Sequence, residues 1–190
     1  MTIITRRTLS GSLLALTATA LTATALTAAP ALAKDRSKLV ARARQSLREL
    51  ESQSSAARRT SKQAHAVLVF PSILKAGFVF GAETGDGVLF RGGKVAGYYN
   101  LSGGSWGLQI GGQDFAYALF LMTPKALDYL EKSGGWQAGT GPSITVVNKG
   151  AAAEVDTTTA THDVLAFPYN GKGLMADLTF QGAKITRLKG

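Results

Sequence analysis

Glycine and proline are absent from residues 37–62, whereas glycine is frequent from Gly77 onward. Because both residues weaken a helix interior, an uninterrupted stretch of this kind favours a long helix. Glycines among short apolar runs are instead typical of strands that carry bulges, tight bends or close backbone contacts. The chain is therefore expected to fold as one long helix followed by a glycine-bent sheet.

Residues 37–62 have the spacing of a single amphipathic helix. Leu39, Ala43, Leu47 and Leu50, with Val40 beside them, fall within an arc of about 100° on a helical wheel. The basic residues lie outside this arc. The apolar stripe is thin and contains no aromatic side chain.

Residues 64–190 predict a strongly curved, mostly antiparallel sheet of about eight or nine short strands that could close into a barrel. Residues 73–76 predict a turn of helix, and Thr84-Gly85-Asp86-Gly87 predicts a hairpin turn. Thr123-Pro124 predicts the start of a short helix that ends before Gly134-Gly135. The fold class is α+β. The ten segments from which these eight or nine strands would come are residues 64–70, 77–83, 88–91, 96–101, 106–111, 114–122, 143–147, 164–167, 174–180 and 184–188.

Residues 1–33 have the features of an export signal. Arg6-Arg7 precedes an Ala/Leu/Thr-rich run, and Ala31-Leu32-Ala33 is a small-x-small cleavage motif. We expect a twin-arginine-like signal peptide, which leaves residues 34–190 as one domain in a periplasmic or other extracytoplasmic compartment. A retained anchor is the alternative, although the many threonines make a poor membrane span.

Positive charge is concentrated after this leader. Residues 34–62 contain nine basic and three acidic side chains, whereas residues 63–190 contain ten and nine. The basic character therefore belongs to the predicted helix.

Three kinds of role suit such a helix. Its charges could form a solvated face, bind nucleic acid or bind anionic lipid. An exported protein rarely meets nucleic acid, and no aromatic residue is interleaved with the arginines for base stacking. Each Lys or Arg near an anionic membrane contributes about 1 kcal/mol, and the apolar stripe would add shallow insertion. The predicted lipid-binding residues are Lys38, Arg42, Arg44, Arg48, Arg58, Arg59 and Lys62.

Gly103-x-Ser105-x-Gly107 matches the nucleophile elbow of serine hydrolases, and a triad could use Ser105, Asp128 or Asp156, and His162. An elbow needs a strand that turns sharply into a helix. The residues after Ser105 alternate as in a strand and include two adjacent glycines, so the catalytic interpretation is disfavoured.

Metal and cofactor sites are not predicted. The chain has no cysteine, and its two histidines, His65 and His162, do not have metal-ligand spacing. No glycine-rich run has the strand-loop-helix context of a nucleotide site. Six aromatic residues could line an apolar cavity but suit a core equally: Tyr98, Tyr99, Trp106, Phe115, Tyr117 and Phe120.

Three runs taken together resemble the SYLF domain family: VLVFPSILKAGFVFG at residues 67–81, GGSWGLQIG at residues 103–111 and KGLMA at residues 172–176. The resemblance extends from about Leu39 to Ile185. It implies a phospholipid-binding module with a basic amphipathic helix, and it places Ser105 in a structural signature. Eukaryotic relatives bind phosphoinositides and actin, but an exported chain is not expected to meet cytosolic actin.

The sequence thus predicts an exported, non-enzymatic module that binds an anionic phospholipid membrane peripherally through its basic helix. Two alternatives stay open: a small serine acyl hydrolase that uses Ser105, and a structural or protein-interaction module of the envelope.

Overall fold

A computed structural model describes residues 28–77, 80–106, 113–132, 135–137, 141–147, 162–170 and 183–189. The chain divides into two compact units, Met1–Lys34 and Asp35–Gly190. The division falls one residue after the cleavage point predicted at Ala33. Most of the predicted leader, including Arg6-Arg7, lies outside the described residues.

The described residues form three helices and eight strands. The helices are α1 (Ala28–Gln53), α2 (Ser55–Gln63) and α3 (Pro124–Lys132). The strands are β1 (Ala66–Gly77), β2 (Phe80–Arg91), β3 (Lys94–Trp106), β4 (Gln113–Leu121), β5 (Gly135–Gln137), β6 (Ile144–Val146), β7 (Val164–Tyr169) and β8 (Lys184–Arg187).

The eight strands form one curled sheet in the order β5-β8-β3-β2-β1-β4-β7-β6. All its pairings are antiparallel except that of β6 with β7. The α+β class and the mostly antiparallel, curved sheet predicted from the sequence are confirmed.

Alternating side chains of the strands supply two hydrophobic clusters, one on each face of the sheet. In β1, Leu68 and Phe70 belong to the first cluster, whereas Val67 and Val69 belong to the second. The first cluster draws side chains from all eight strands and from α3. The second packs against α1 and α2. The sheet is therefore covered by helices on both faces, and α1 and α2 lie together on one of them.

The basic helix predicted over residues 37–62 is two helices. Ser54 has an extended backbone (φ −128°, ψ 111°), and its Oγ accepts a hydrogen bond from the Ala57 amide at 3.1 Å. A serine in this role satisfies an amide that would otherwise lack a partner at the start of α2. The single-helix prediction was wrong because apolar periodicity does not reveal a cap inside a polar stretch.

The hairpin turn predicted at Thr84-Gly85-Asp86-Gly87 was also wrong, since these residues lie within β2. The turn is at Gly92 and Gly93, whose φ angles are 55° and 76°, between the paired residues Arg91 and Lys94. Two consecutive residues with positive φ match the twist of a hairpin, and glycine adopts them without strain.

Residues 73–76 continue β1 and do not form the predicted turn of helix. β1 changes register between Phe70 and Ile73, as a bulge does, and Pro71 lies in this irregularity. Proline has no amide to donate, so a bulge is one of the few places in a sheet interior that accept it.

The predicted α3 is confirmed. Thr123 Oγ1 accepts a hydrogen bond from the Ala126 amide at 3.2 Å, Pro124 is the first helical residue, and Leu127 and Leu130 are buried. The predicted strands at residues 143–147, 164–167 and 184–188 correspond to β6, β7 and β8. The strand predicted over residues 174–180 lies outside the described residues, as does nearly all of the one predicted over residues 106–111.

Candidate lipid-binding surface

The seven predicted lipid-binding residues are all exposed, on α1 and α2. We refer to them as the cationic surface: Lys38, Arg42, Arg44, Arg48, Arg58, Arg59 and Lys62. At 100° per residue, Lys38 and Arg42 lie along one flank of α1, and Arg44 and Arg48 lie along the other. The two flanks are separated by the solvent-facing side of the helix.

The apolar stripe of α1 faces the sheet. Leu39 and Leu50 are 8% and 4% exposed, and Ala43 is fully buried. Ser46 lies on the same face, and its hydroxyl is hydrogen-bonded to the Tyr169 hydroxyl of β7 at 2.8 Å. The predicted shallow insertion of this stripe into a membrane is therefore wrong for the folded domain, because these side chains already cover the second cluster.

Arg44 is held against the β2–β3 turn. Its Nη2 donates a hydrogen bond to the Gly93 carbonyl at 2.9 Å, and its guanidinium lies 4.9 Å from the centre of the Phe90 ring. An arginine that stacks on an aromatic face and also donates a hydrogen bond has a restricted orientation. Arg44 is thus a positioned cation.

Arg36, which the sequence analysis did not select, is positioned in a similar way. Its Nη2 donates to the Lys189 carbonyl at 2.7 Å, and its guanidinium lies 4.9 Å from the centre of the Tyr98 ring. Arg36 is half-buried. Its contact with Lys189 joins α1 to the segment that follows β8.

The other cations make few internal ion pairs. Lys38 approaches Asp35 at 4.0 Å, and both side chains are well exposed, so this pair contributes little. Arg58 Nε donates to the Glu51 carbonyl at 2.9 Å. Arg42, Arg48 and Lys62 have no hydrogen-bond or ion-pair partner among the residues that the structure describes.

A cavity of about 350 Å³ adjoins the cationic surface, a feature that the sequence analysis missed. It lies between α1, the last turn of α2, the start of β1 and the β2–β3 turn. Its charged or titratable lining residues are Arg44, Arg48, Glu51, Lys62 and His65. No sequence signal marks it, because it forms only where residues 44–67 pack beside the β2–β3 turn at residues 90–93.

Ser105 lies within β3, where it pairs with Gly81 of β2. Among the other residues of the hypothetical triad, Asp128 forms an ion pair with Lys132 on α3. The distance from Lys132 Nζ to Asp128 Oδ2 is 2.8 Å. His162 Nδ1 is hydrogen-bonded to the Thr145 hydroxyl at 2.9 Å. Asp156 lies outside the described residues.

Four of the six aromatic residues proposed as a cavity lining are buried in the two clusters: Tyr99, Phe115, Tyr117 and Phe120. Phe115 and Tyr117 pack edge to face with ring centres 5.4 Å apart. Tyr98 is half-buried beneath Arg36. Within the described ranges, no group of three or more His, Cys, Asp or Glu side chains could hold a metal ion. The helices in those ranges include none with the length and apolar character that a bilayer crossing requires.

Fold and surface together define a small α+β module whose positive charge is displayed on one pair of helices. Residues 102–189 match the model of the Ysc84 family, described as "Las17-binding protein actin regulator". Over these residues, the match agrees with the resemblance to the SYLF domain family that the sequence analysis identified.

The family is one of lipid- and actin-binding modules. The match begins at Ser102, inside β3, so α1 and α2 precede it. No curated protein matches the chain.

Proposed function

We propose that this protein is an exported, non-enzymatic module that binds anionic phospholipid membranes peripherally through its cationic surface. The observation that carries the proposal is the exposure of all seven basic side chains on helices whose apolar side is already packed against the sheet. An exposed set of cations on helices that are packed against the sheet suits attraction to a charged surface and does not require a helix to unfold or insert.

Energetic considerations support reversible attachment. A basic side chain close to an anionic membrane contributes about 1 kcal/mol, so several acting together bind measurably at low salt. The Debye length falls from about 10 Å at 0.1 M salt to about 3 Å at 1 M, so this attraction weakens strongly as salt is added. Membrane release by salt is therefore the expected signature.

Two further observations support the same class of function. Residues 102–189 match the model of a family of lipid- and actin-binding modules. Ser105 lies inside a paired strand, whereas an elbow nucleophile needs the turn between a strand and a helix. An esterase rate that Ser105→Ala abolishes would contradict the non-enzymatic part of the proposal.

The test is co-sedimentation of the unit 35–190 with phosphatidylglycerol vesicles. We expect Arg42→Glu/Arg48→Glu to lower the partition coefficient by at least about tenfold, because four units of charge are lost from the contact. The matched control is Lys125→Glu/Lys184→Glu, which changes the same charge at exposed residues outside the cationic surface.

Wild-type binding should disappear at about 0.5 M salt. Equal losses in the two double variants would show that net charge, and not this surface, governs attachment. Binding that persists unchanged in Arg42→Glu/Arg48→Glu would overturn the proposal.

A further inference from the structure

The cavity beside α1 differs from the rest of the cationic surface because it is concave and three cationic side chains line it. Arg44 and Arg48 reach it from α1, and Lys62 reaches it from the last turn of α2. Its volume of about 350 Å³ lies at the lower end of the range for small-molecule sites. The cavity therefore has room for a headgroup-sized solute.

The rim of the cavity is organised before any ligand arrives. The Gly93 carbonyl accepts the hydrogen bond from Arg44 Nη2, and the Phe90 ring lies beneath the Arg44 guanidinium. A Cβ added at Gly92 or Gly93 would meet no atom within 4 Å, so this side of the rim is open. One cation is thus oriented next to an open entrance.

The charge of the lining is positive. Arg44, Arg48 and Lys62 oppose a single carboxylate, that of Glu51. Arg48 and Lys62 are exposed and have no partner in the part of the chain that the structure describes. Their guanidinium and ammonium groups offer five and three N–H donors, respectively.

We infer that this cavity binds a phosphate monoester, as found on the headgroup of an anionic lipid or on a soluble phosphorylated solute; the lipid form rests on the proposed function. A monoester has three free oxygens and a charge of about −1.5 to −2 at pH 7. A phosphodiester offers two free oxygens and one charge, which leaves more of the donors that line the cavity unused. Charge-assisted hydrogen bonds to the third oxygen supply the discrimination.

The test compares vesicles that contain phosphatidic acid, a monoester, with vesicles that contain phosphatidylglycerol, a diester, at equal zeta potential. We expect the wild-type unit 35–190 to bind the monoester vesicles about tenfold more tightly, which is the effect of one additional charged hydrogen bond. Arg48→Gln/Lys62→Gln should reduce this ratio to about one.

Lys38→Gln/Arg42→Gln is the matched control, because it removes one lysine and one arginine from the cationic surface outside the cavity lining. It should lower both affinities together and preserve the ratio. Arg48→Lys retains the charge without the guanidinium fork and should lower the ratio while binding to the diester vesicles is maintained. Circular dichroism confirms that each variant is folded.

The outcomes separate this inference from the proposed function. Salt-sensitive binding with equal affinity for the two kinds of vesicle overturns the phosphate site and leaves the membrane function intact. The same conclusion follows if Arg48→Gln/Lys62→Gln and Lys38→Gln/Arg42→Gln reduce the ratio of monoester to diester affinity equally. If neither vesicle binds, the membrane function is overturned. The cavity is then tested by titration with glycerol 3-phosphate, whose binding to wild type but not to Arg48→Gln/Lys62→Gln supports a soluble ligand. Absence of that binding overturns the site.

Discussion

At the scale of single residues, two glycines of β2 are required by close approach of β1. A Cβ at Gly85 would lie 2.5 Å from the Ser72 carbonyl oxygen, and one at Gly87 would lie 2.6 Å from the Phe70 ring. Phe70 is fully buried, so its ring cannot easily move away. The glycines that predict a turn here are therefore explained by the close approach of two paired strands, β1 and β2.

We predict that Gly87→Ala lowers the free energy of unfolding by roughly 1–3 kcal/mol, the usual cost of overpacking a close contact. Gly104→Ala is the matched control in β3, because a Cβ there would meet nothing within 4 Å. Its free energy of unfolding should change by less than about 0.5 kcal/mol. Urea denaturation measures both, and equal losses would contradict the close-approach explanation.

At the scale of elements, the division between α1 and α2 determines where the cations of the surface lie. The cap at Ser54 starts α2 after a single non-helical residue, and α2 then carries Arg58, Arg59 and Lys62. The Leu50 carbonyl also accepts a hydrogen bond from the Ser54 amide at 2.8 Å. A continuous helix would direct these three cations differently from those of α1.

Ser54→Ala should destabilise the fold by about 1 kcal/mol, since the Ala57 amide loses its side-chain acceptor. Ser55→Ala, one residue later and exposed, is the control and should be close to neutral. Thermal unfolding followed by circular dichroism separates them. A midpoint that is the same for the two variants would argue against the capping role.

Sequence patterns predicted the elements whose signals are local. The threonine cap and Pro124 identified α3, and short runs of strand-forming residues identified β6, β7 and β8. The β1 bulge at Pro71 was missed because long-range pairing with β2 and β4 extends the strand past a residue that usually ends one. The helical wheel predicted that the arginines are exposed. The cavity could not be predicted in this way, because it depends on tertiary packing.

At the scale of the whole molecule, three buried tyrosines link stability to pH. Burial raises the pKa of Tyr99 and of Tyr117. Burial also raises the pKa of Tyr169 to about 12, although its hydrogen bond with Ser46 partly opposes the change. In the unfolded chain each would ionise near its ordinary value of about 10.

Stability should therefore be unaffected by these groups below about pH 10 and should fall as pH rises toward 12, because the unfolded state then loses protons that the folded state retains. The steepest expected slope is about 1.4 kcal/mol per pH unit for each of Tyr117 and Tyr169. Urea denaturation at a series of alkaline pH values measures it.

Tyr169→Phe provides the control. It should cost about 1 kcal/mol at pH 8, where the Ser46 hydroxyl loses its partner, and should show a shallower decline above pH 10. Parallel curves for wild type and Tyr169→Phe would contradict the assignment of this alkaline sensitivity to Tyr169.

The contact between Arg36 and the Lys189 carbonyl spans 153 residues of sequence. During synthesis, the first part of the folded unit leaves the ribosome long before its final partner has been made. Docking of the N-terminal end of α1 onto Lys189 consequently cannot occur until residue 189 has emerged from the ribosome. Until then, the charged start of α1 must remain soluble without this contact.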